Sequence, residues 1–362
     1  MSHMQIEQLR GRLDELNSQL LELLSERAEI GQQIGEWKRN AGLPLHDPVR
    51  EKEMLDRLAA QNSGPLDEAT VRRLFGDIFK ATLQVQIEAP AKRKLLVSRA
   101  SHREDTVVQI GDTAIGGGEP VLVAGPCSVE SREQVREVAA ALKRAGVPVI
   151  RGGAFKPRTS PYDFQGLGFE GLKLLKEAAD EFGLLTISEI VTPAHLEEAA
   201  QYVDIIQIGA RNMQNFELLK AAGDMRKPVL LKRGLAATMD EFLHAAEYIV
   251  SRGNSQVMLI ERGIRTYEKW TRNTLDISAV PLLKRESHLP VLVDVSHSTG
   301  RKDIMAPCAK AALAAGADGI MVETHPNPAA ALSDADQQLD LGEFAEFVRD
   351  VQSSGLYRAI KS

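Results

Sequence analysis

The chain has 362 residues, 43% of them hydrophobic and 26% charged, with a formal net charge of -6. That is enough for about two soluble domains and argues against nucleic acid as the main partner. No apolar run approaches the ~20 residues of a membrane span and the start lacks a signal-peptide core, so a cytoplasmic protein with no membrane partner is expected. In a reducing compartment the two cysteines, Cys127 and Cys308, argue against a structural disulfide.

Residues 1–89 read as an all-helical unit. Ile6, Leu9, Leu13, Leu16, Leu20, Leu23, Ile30, Ile34 and Trp37 step three and four residues apart, which predicts one long helix. Arg27 falls on that apolar seam, where unpaired burial would cost several kcal/mol. Lys38, eleven residues on, lies about 20° around the helix from Arg27, whereas Arg10 points roughly 100° away and suits a different pocket. The plain alternative is a coiled-coil hairpin with snorkelling cations. Gly42 and Pro44 end the helix, and Asp47-Pro48 caps a second one running to about Gln61, with Arg50 and Glu51 in its first turns. Asp67 caps a third, whose inner stripe of Val71, Leu74, Phe75, Ile78 and Phe79 ends in Thr82 and Gln86. Two short partners cannot cover so long a helix, so a dimer through this unit is expected.

This pattern resembles the all-helical chorismate mutase domain, on Arg10, Arg27, Lys38, Asp47, Arg50, Glu51, Thr82 and Gln86. The resemblance implies that chorismate and prephenate bind here, with Arg10 reaching into a partner's pocket. It gives the substrate's two carboxylates to Arg10, Arg27 and Arg50, the ether oxygen to Lys38 and Gln86, and the hydroxyl to Glu51.

Residues 90–106, with the basic run Lys92-Arg93-Lys94, read as a linker, and residues 107–362 as a second domain. It opens on a predicted hairpin between Thr106 and Glu119. Apolar runs then recur at Val121–Ala124, Val147–Ile150, Leu184–Ile187, Ile205–Ile208, Val229–Leu231, Val257–Ile260, Val291–Val293 and Gly319–Val322, with amphipathic stretches between. Eight such units predict an α/β fold, the (β/α)8 barrel, over the runner-up doubly wound sheet, which lacks its glycine signature.

Active sites of such barrels lie where the strands end. There the chain places Cys127, Arg151, Glu189, Arg211, Lys232, Glu261 with Arg262, Asp294 with His297, and Glu323. Arg151, Lys156, Arg211, Lys232 and Arg262 suit a small, highly charged anion, and Arg158, Thr159 and Ser160 add donors for a phosphate. Cys127, His297, Glu323 and an aspartate, Asp334 or Asp336, suit a divalent transition ion. Manganese is favoured, and iron, cobalt, zinc and cadmium are admitted. Singly, each has a duller role: packed thiol, loop histidine or helix cap. His325 is a further alternative ligand, and Cys308 is assigned to the core.

Gly125-Pro126-Cys127-Ser128-Val129-Glu130-Ser131, Lys156-Pro157-Arg158-Thr159-Ser160, Ile208-Gly209-Ala210-Arg211-Asn212, Lys232-Arg233-Gly234, Glu261-Arg262-Gly263, Asp294-Val295-Ser296-His297 and Glu323-Thr324-His325-Pro326 together resemble the short-barrel class of 3-deoxy-D-arabino-heptulosonate 7-phosphate (DAHP) synthases. The resemblance implies condensation of phosphoenolpyruvate with erythrose 4-phosphate. Phosphoenolpyruvate would sit on Arg151, Lys156, Gly209, Ala210, Arg211, Lys232 and Arg262, and erythrose 4-phosphate on Arg158, Thr159, Ser160 and Asp334. The metal would sit on Cys127, His297, Glu323 and Asp334, with Lys156 the candidate for proton transfer. Two rivals are the sister synthase of an eight-carbon sugar acid, expected to carry Lys-Ala-Asn-Arg-Ser at 156–160, and a helical unit that only senses chorismate or prephenate. Feedback inhibition through the helical unit and a homo-oligomer, as far as a tetramer, are also expected.

Overall fold

The computed structural model describes residues 3–88, 95–157, 160 and 162–358. It divides into two compact units between Arg93 and Lys94.

The first unit is three helices: α1 (His3–Asn40), α2 (Pro48–Gln61) and α3 (Glu68–Glu88). The predicted punctuation holds. Asp47 caps α2 by accepting from the Arg50 amide at 3.1 Å, and Asp67 caps α3 by accepting from Thr70 at 2.7 Å. Among described residues only Val71 and Phe79 of this unit's large apolar side chains are buried. The α1 seam stays open, with Leu13 59% and Leu20 55% exposed.

In the second unit a hairpin of β1 (Val108–Ile110) and β2 (Thr113–Ile115) precedes eight parallel strands: β3 (Val121–Gly125), β4 (Val149–Arg151), β5 (Leu185–Glu189), β6 (Ile205–Ile208), β7 (Val229–Lys232), β8 (Val257–Glu261), β9 (Val291–Asp294) and β10 (Gly319–Glu323). They run in chain order and close by pairing β10 with β3. The helices are α4 (Arg132–Arg144), α5 (Phe169–Phe182), α6 (Leu196–Ala199), α7 (Phe216–Asp224), α8 (Met239–Val250), α9 (Ala279–Glu286), α10 (Val295–Thr299), α11 (Met305–Ala314) and α12 (Leu341–Ser353).

Strand side chains alternate between two cores, as a period of two requires. Val123, Val149, Ile187, Ile205, Leu230, Ile260, Leu292 and Met321 fill the barrel, joined by Val108 and Ile115 of the hairpin. Leu122, Ile150, Ile206, Leu231, Leu259, Val293 and Val322 face the helices.

One expectation needs correction. Leu95 to Thr106, read as part of a linker, is moored to the barrel. The Leu96 and Val97 amides donate to Glu247 of α8 at 3.0 and 3.1 Å, Ser287 donates to the Val97 carbonyl at 2.7 Å, and Thr106 meets His288 at 2.6 Å. Backbone groups bonded to side chains leave no periodic signal, so the sequence looked structureless. Residues 90–94 lie outside the described residues.

Candidate functional site

Carrying the interior alternation two residues past each inward side chain produces the rim. Val149 leads to Arg151, Ile187 to Glu189, Ile205 to Gln207, Leu230 to Lys232, Ile260 to Arg262, Leu292 to Asp294 and Met321 to Glu323. These groups converge because strand parity aims them inward at the carboxyl end. Glu261 is out of phase and faces away, pairing with Arg233 at 2.9 Å, so it leaves the candidate set.

A cavity of about 240 Å³ opens there, lined among others by Arg151, Lys156, Arg211, Lys232, Arg262 and His297. Arg151 donates to the carbonyls of Pro126 and Cys127 at 2.6 and 3.1 Å and to Glu323 at 3.0 Å. Among the described residues, its Nε and the Nη1 of Arg262 are buried without a hydrogen-bond partner. Buried donors left open cost free energy unless a ligand supplies acceptors, and in a cationic cavity that ligand is an anion. Gly209 packs against Glu189 of this wall and must be glycine: a Cβ there would lie 1.9 Å from Oε1 of Glu189. Ala210 borders the cavity, Ser160 accepts from the Tyr162 amide at 3.3 Å and is not among the cavity's lining residues, and Arg158 and Thr159 lie outside the described residues.

Beside the cavity, one ligand atom each from Cys127, Glu323 and Asp334 lie within 4.8 Å of one another. His297 Nε2 joins them, 3.6 Å from Glu323 and 3.8 Å from Asp334. Asp294 orients that ring, accepting from Nδ1 at 2.8 Å and from the His297 amide at 3.0 Å, and it also takes Lys232 at 2.6 Å. His297 and Lys232 hold the Asp294 carboxyl well below the usual carboxylate range despite complete burial. Burial pushes the Cys127 thiol up, as does Glu323, while Lys156, 3.1 Å from the sulfur, pulls the other way. One sulfur, one imidazole and two carboxylates form a mixed set that fits a borderline transition ion, with Asp294 holding the ring so that Nε2 faces Glu323 and Asp334.

Asp334 belongs to this group, and exposed Asp336 does not. His325 turns away to Glu130 at 3.4 Å. Sequence reasoning missed Arg272, Asn273 and Gln337, which sit on loops with no periodic signal. It also missed Gln207, though a lone glutamine at an inward position of an apolar strand was a usable sign.

In the helical unit a cavity of about 270 Å³ is lined by Arg27, Lys38, Asp47, Arg50, Glu51 and Thr82 with apolar neighbours. Arg27 donates to Thr82 and stacks 4.9 Å over Phe79, and burial lowers it from arginine's ordinary value. Lys38 donates to the Leu45 carbonyl at 3.0 Å, and Glu51 meets His46 at 3.1 Å. Arg10 is exposed and pairs with Glu7 at 2.7 Å, away from this cavity of its own chain. The side chain of Gln86 lies outside the described residues.

Residues 90–356 match the DAHP synthetase I family and residues 9–87 the chorismate mutase type II family. A phospho-2-dehydro-3-deoxyheptonate aldolase of Thermotoga maritima is 58% identical over 257 residues, which are 71% of this chain and 76% of the relative. A crystal structure of a Thermotoga maritima enzyme of that name (DAHP synthase) superposes with a TM-score of 0.70 at 57% identity, covering 71% of this chain and 76% of that one. A 2-dehydro-3-deoxyphosphooctonate aldolase of Rhodopseudomonas palustris is 33% identical, over 67% of this chain and 91% of the relative. The chain therefore belongs to the DAHP synthetase I family and carries a chorismate mutase type II domain ahead of its barrel, an enzyme of both kinds.

Proposed function

We propose that the barrel condenses phosphoenolpyruvate with erythrose 4-phosphate, using a divalent metal ion, and that the helical unit rearranges chorismate to prephenate. The observation that carries the first half is the meeting of two things at one rim: four ligand-type side chains, and a cationic cavity with buried donors on Arg151 and Arg262 left open.

Arg151, Lys156, Arg211, Lys232 and Arg262 take the carboxylate and phosphate of phosphoenolpyruvate, with Gly209 and Ala210 shaping the wall. Arg158, Thr159 and Ser160 take the second substrate's phosphate, and Asp334 its hydroxyl side. Cys127, His297, Glu323 and Asp334 hold the metal, manganese being favoured, which when bound supplies a Lewis acid for the aldehyde. Lys156, whose Nζ lies 3.0 Å from the Cys127 carbonyl, delivers a proton to the aldehyde oxygen as the enol carbon bonds to the aldehyde carbon and the C=O π pair moves onto that oxygen. Water adds at the phosphate-bearing carbon, and the carbon to oxygen bond then breaks to release phosphate. The 58% identity to a heptonate enzyme, against 33% to an octonate one, supports the seven-carbon product.

A Claisen rearrangement needs no covalent partner, only shape and charge. Arg27 and Arg50 hold the carboxylates, Lys38 and Gln86 the ether oxygen, Glu51 the hydroxyl, with Thr82 fixing Arg27. Arg10 completes the cavity of a second subunit, which the open α1 seam supports. We further propose that prephenate or chorismate bound there inhibits the barrel.

Phosphate release and chorismate loss measured on one preparation test the whole. Chelator should abolish the first and spare the second; phosphate release that persists in chelator removes the metal reading. Inhibition by prephenate that survives deletion of residues 1–93 removes the feedback reading.

A further inference from the structure

Three of the four ligand-type residues are set by strand ends. Asp334 is not: it lies in the loop after β10, on left-handed backbone with φ 51°. A non-glycine residue there carries about 1 kcal/mol of strain and needs something to hold it. Its own loop offers little, since Gln337 Nε2 is 3.4 Å from the carboxylate.

The firm bond comes from elsewhere. Arg272 Nη1 donates to Asp334 Oδ2 at 3.0 Å and to Gln337 Oε1 at 2.5 Å, and Gln337 Nε2 in turn donates to Glu323 Oε2 at 2.5 Å. One chain of bonds thus ties Asp334 to Glu323 through Arg272 and Gln337. The root of Arg272 is fixed to the helix that carries His297. Its amide donates to Thr299 at 2.9 Å, the Asn273 amide to Ser298 at 2.9 Å, and the Asn273 side chain to the His297 carbonyl at 2.8 Å. Gly300 permits this seat, because a Cβ there would stand 2.5 Å from that of Arg272.

We infer that Arg272 is the positioning residue of the metal site, holding Asp334 in register with His297 and Glu323. The inference rests on reading Cys127, His297, Glu323 and Asp334 as that site. A positioning role and a bystander role have opposite signs. A cation beside a metal ligand repels the incoming ion, so loss of a bystander arginine would tighten binding. Loss of a residue that holds a ligand in place weakens it, typically ten- to a hundredfold.

The test is titration of cobalt(II) into the chelator-treated full chain, followed by calorimetry and by thiolate-to-cobalt absorption. Arg272→Ala should raise the midpoint by about ten- to a hundredfold while keeping the absorption band at saturation, with Arg272→Lys, a cation on a smaller head, in between. Chorismate loss and thermal unfolding of the same samples should match the parent, which shows the fold intact. An Arg272→Ala midpoint equal to or below the parent's overturns the inference. A parent chain that takes up no cobalt, or a Cys127→Ser variant that takes it up equally well, overturns the metal reading and this inference with it.

Discussion

Replacing Asp294 by asparagine probes the joint on which the barrel site turns. The carboxylate is fully buried and accepts three bonds, from the His297 amide at 3.0 Å, His297 Nδ1 at 2.8 Å and Lys232 Nζ at 2.6 Å. An amide offers one oxygen and one NH2, so either orientation aims an N–H at another donor. Lys232, 4% exposed, also loses its counter-charge. Breaking one side of a buried pair costs 3–5 kcal/mol, and the oxygen that remains places this case near the low end, about 3 kcal/mol. In a unit of this size each kcal/mol moves the midpoint by 2–4 °C, so the barrel's transition should fall by roughly 6–12 °C. Calorimetry of the full chain reads that shift, and cobalt titration should weaken in parallel because the imidazole loses its orienting acceptor. Chorismate turnover should not change. A barrel transition within a degree of the parent, with metal uptake intact, would refute the account of Asp294.

Arg10→Ala and Arg27→Ala should each abolish chorismate turnover, yet unfolding and refolding the two variants together should restore about a quarter of it. Half of the resulting dimers are mixed, and each mixed dimer regains one complete site. No recovery would place Arg10 in its own chain's cavity. The segment from Leu95 to Thr106 should loosen in acid. Burial lowers His288 from histidine's ordinary 6.5, and its ring is committed to the Leu96 carbonyl at 2.8 Å and Thr106 at 2.6 Å. As pH falls through 6.5 the unfolded chain takes a proton that folded His288 resists, so this contribution declines from there down to the folded value. Protection of the Leu96 and Val97 amides, taken as the exchange rate relative to the intrinsic rate at each pH, should therefore fall as pH drops below about 6.5 in the parent, and much less in His288→Asn. Equal pH dependence in both would remove His288 from the explanation.

How far the sequence could be read depended on what holds each residue in place. The eight strands were legible because each is a short apolar run buried on both faces, and their ends followed from parity alone. Arg151, Lys232, Arg262 and Glu323 came out at a common rim for that reason, across more than 170 residues of chain. Asp334 stayed open against Asp336 because both sit on an irregular stretch with no strand parity or helical period to assign either a direction. The choice is made by Cys127, Arg272 and Gln337, partners distant in sequence or unremarkable in type.

The same distinction separates the two cavities. The barrel cavity sits on a rim closed by the pairing of β10 with β3, so strand ends bring its groups together. The helical cavity is built on α1, whose apolar seam continues past the reach of α2 and α3 into open exposure at Leu13 and Leu20. A helix that spends most of its apolar surface outside its own unit is stable only if something covers it, since burial of that face supplies most of a helix's stability. Arg10, which lies outside its own chain's cavity, and the exposed leucines are on the same helix, and the second copy of α1 proposed above would account for both. On that proposal the angular offset of Arg10 from Arg27 and Lys38 bears on assembly before it bears on catalysis, which is what the mixed refolding of the Arg10 and Arg27 variants reads.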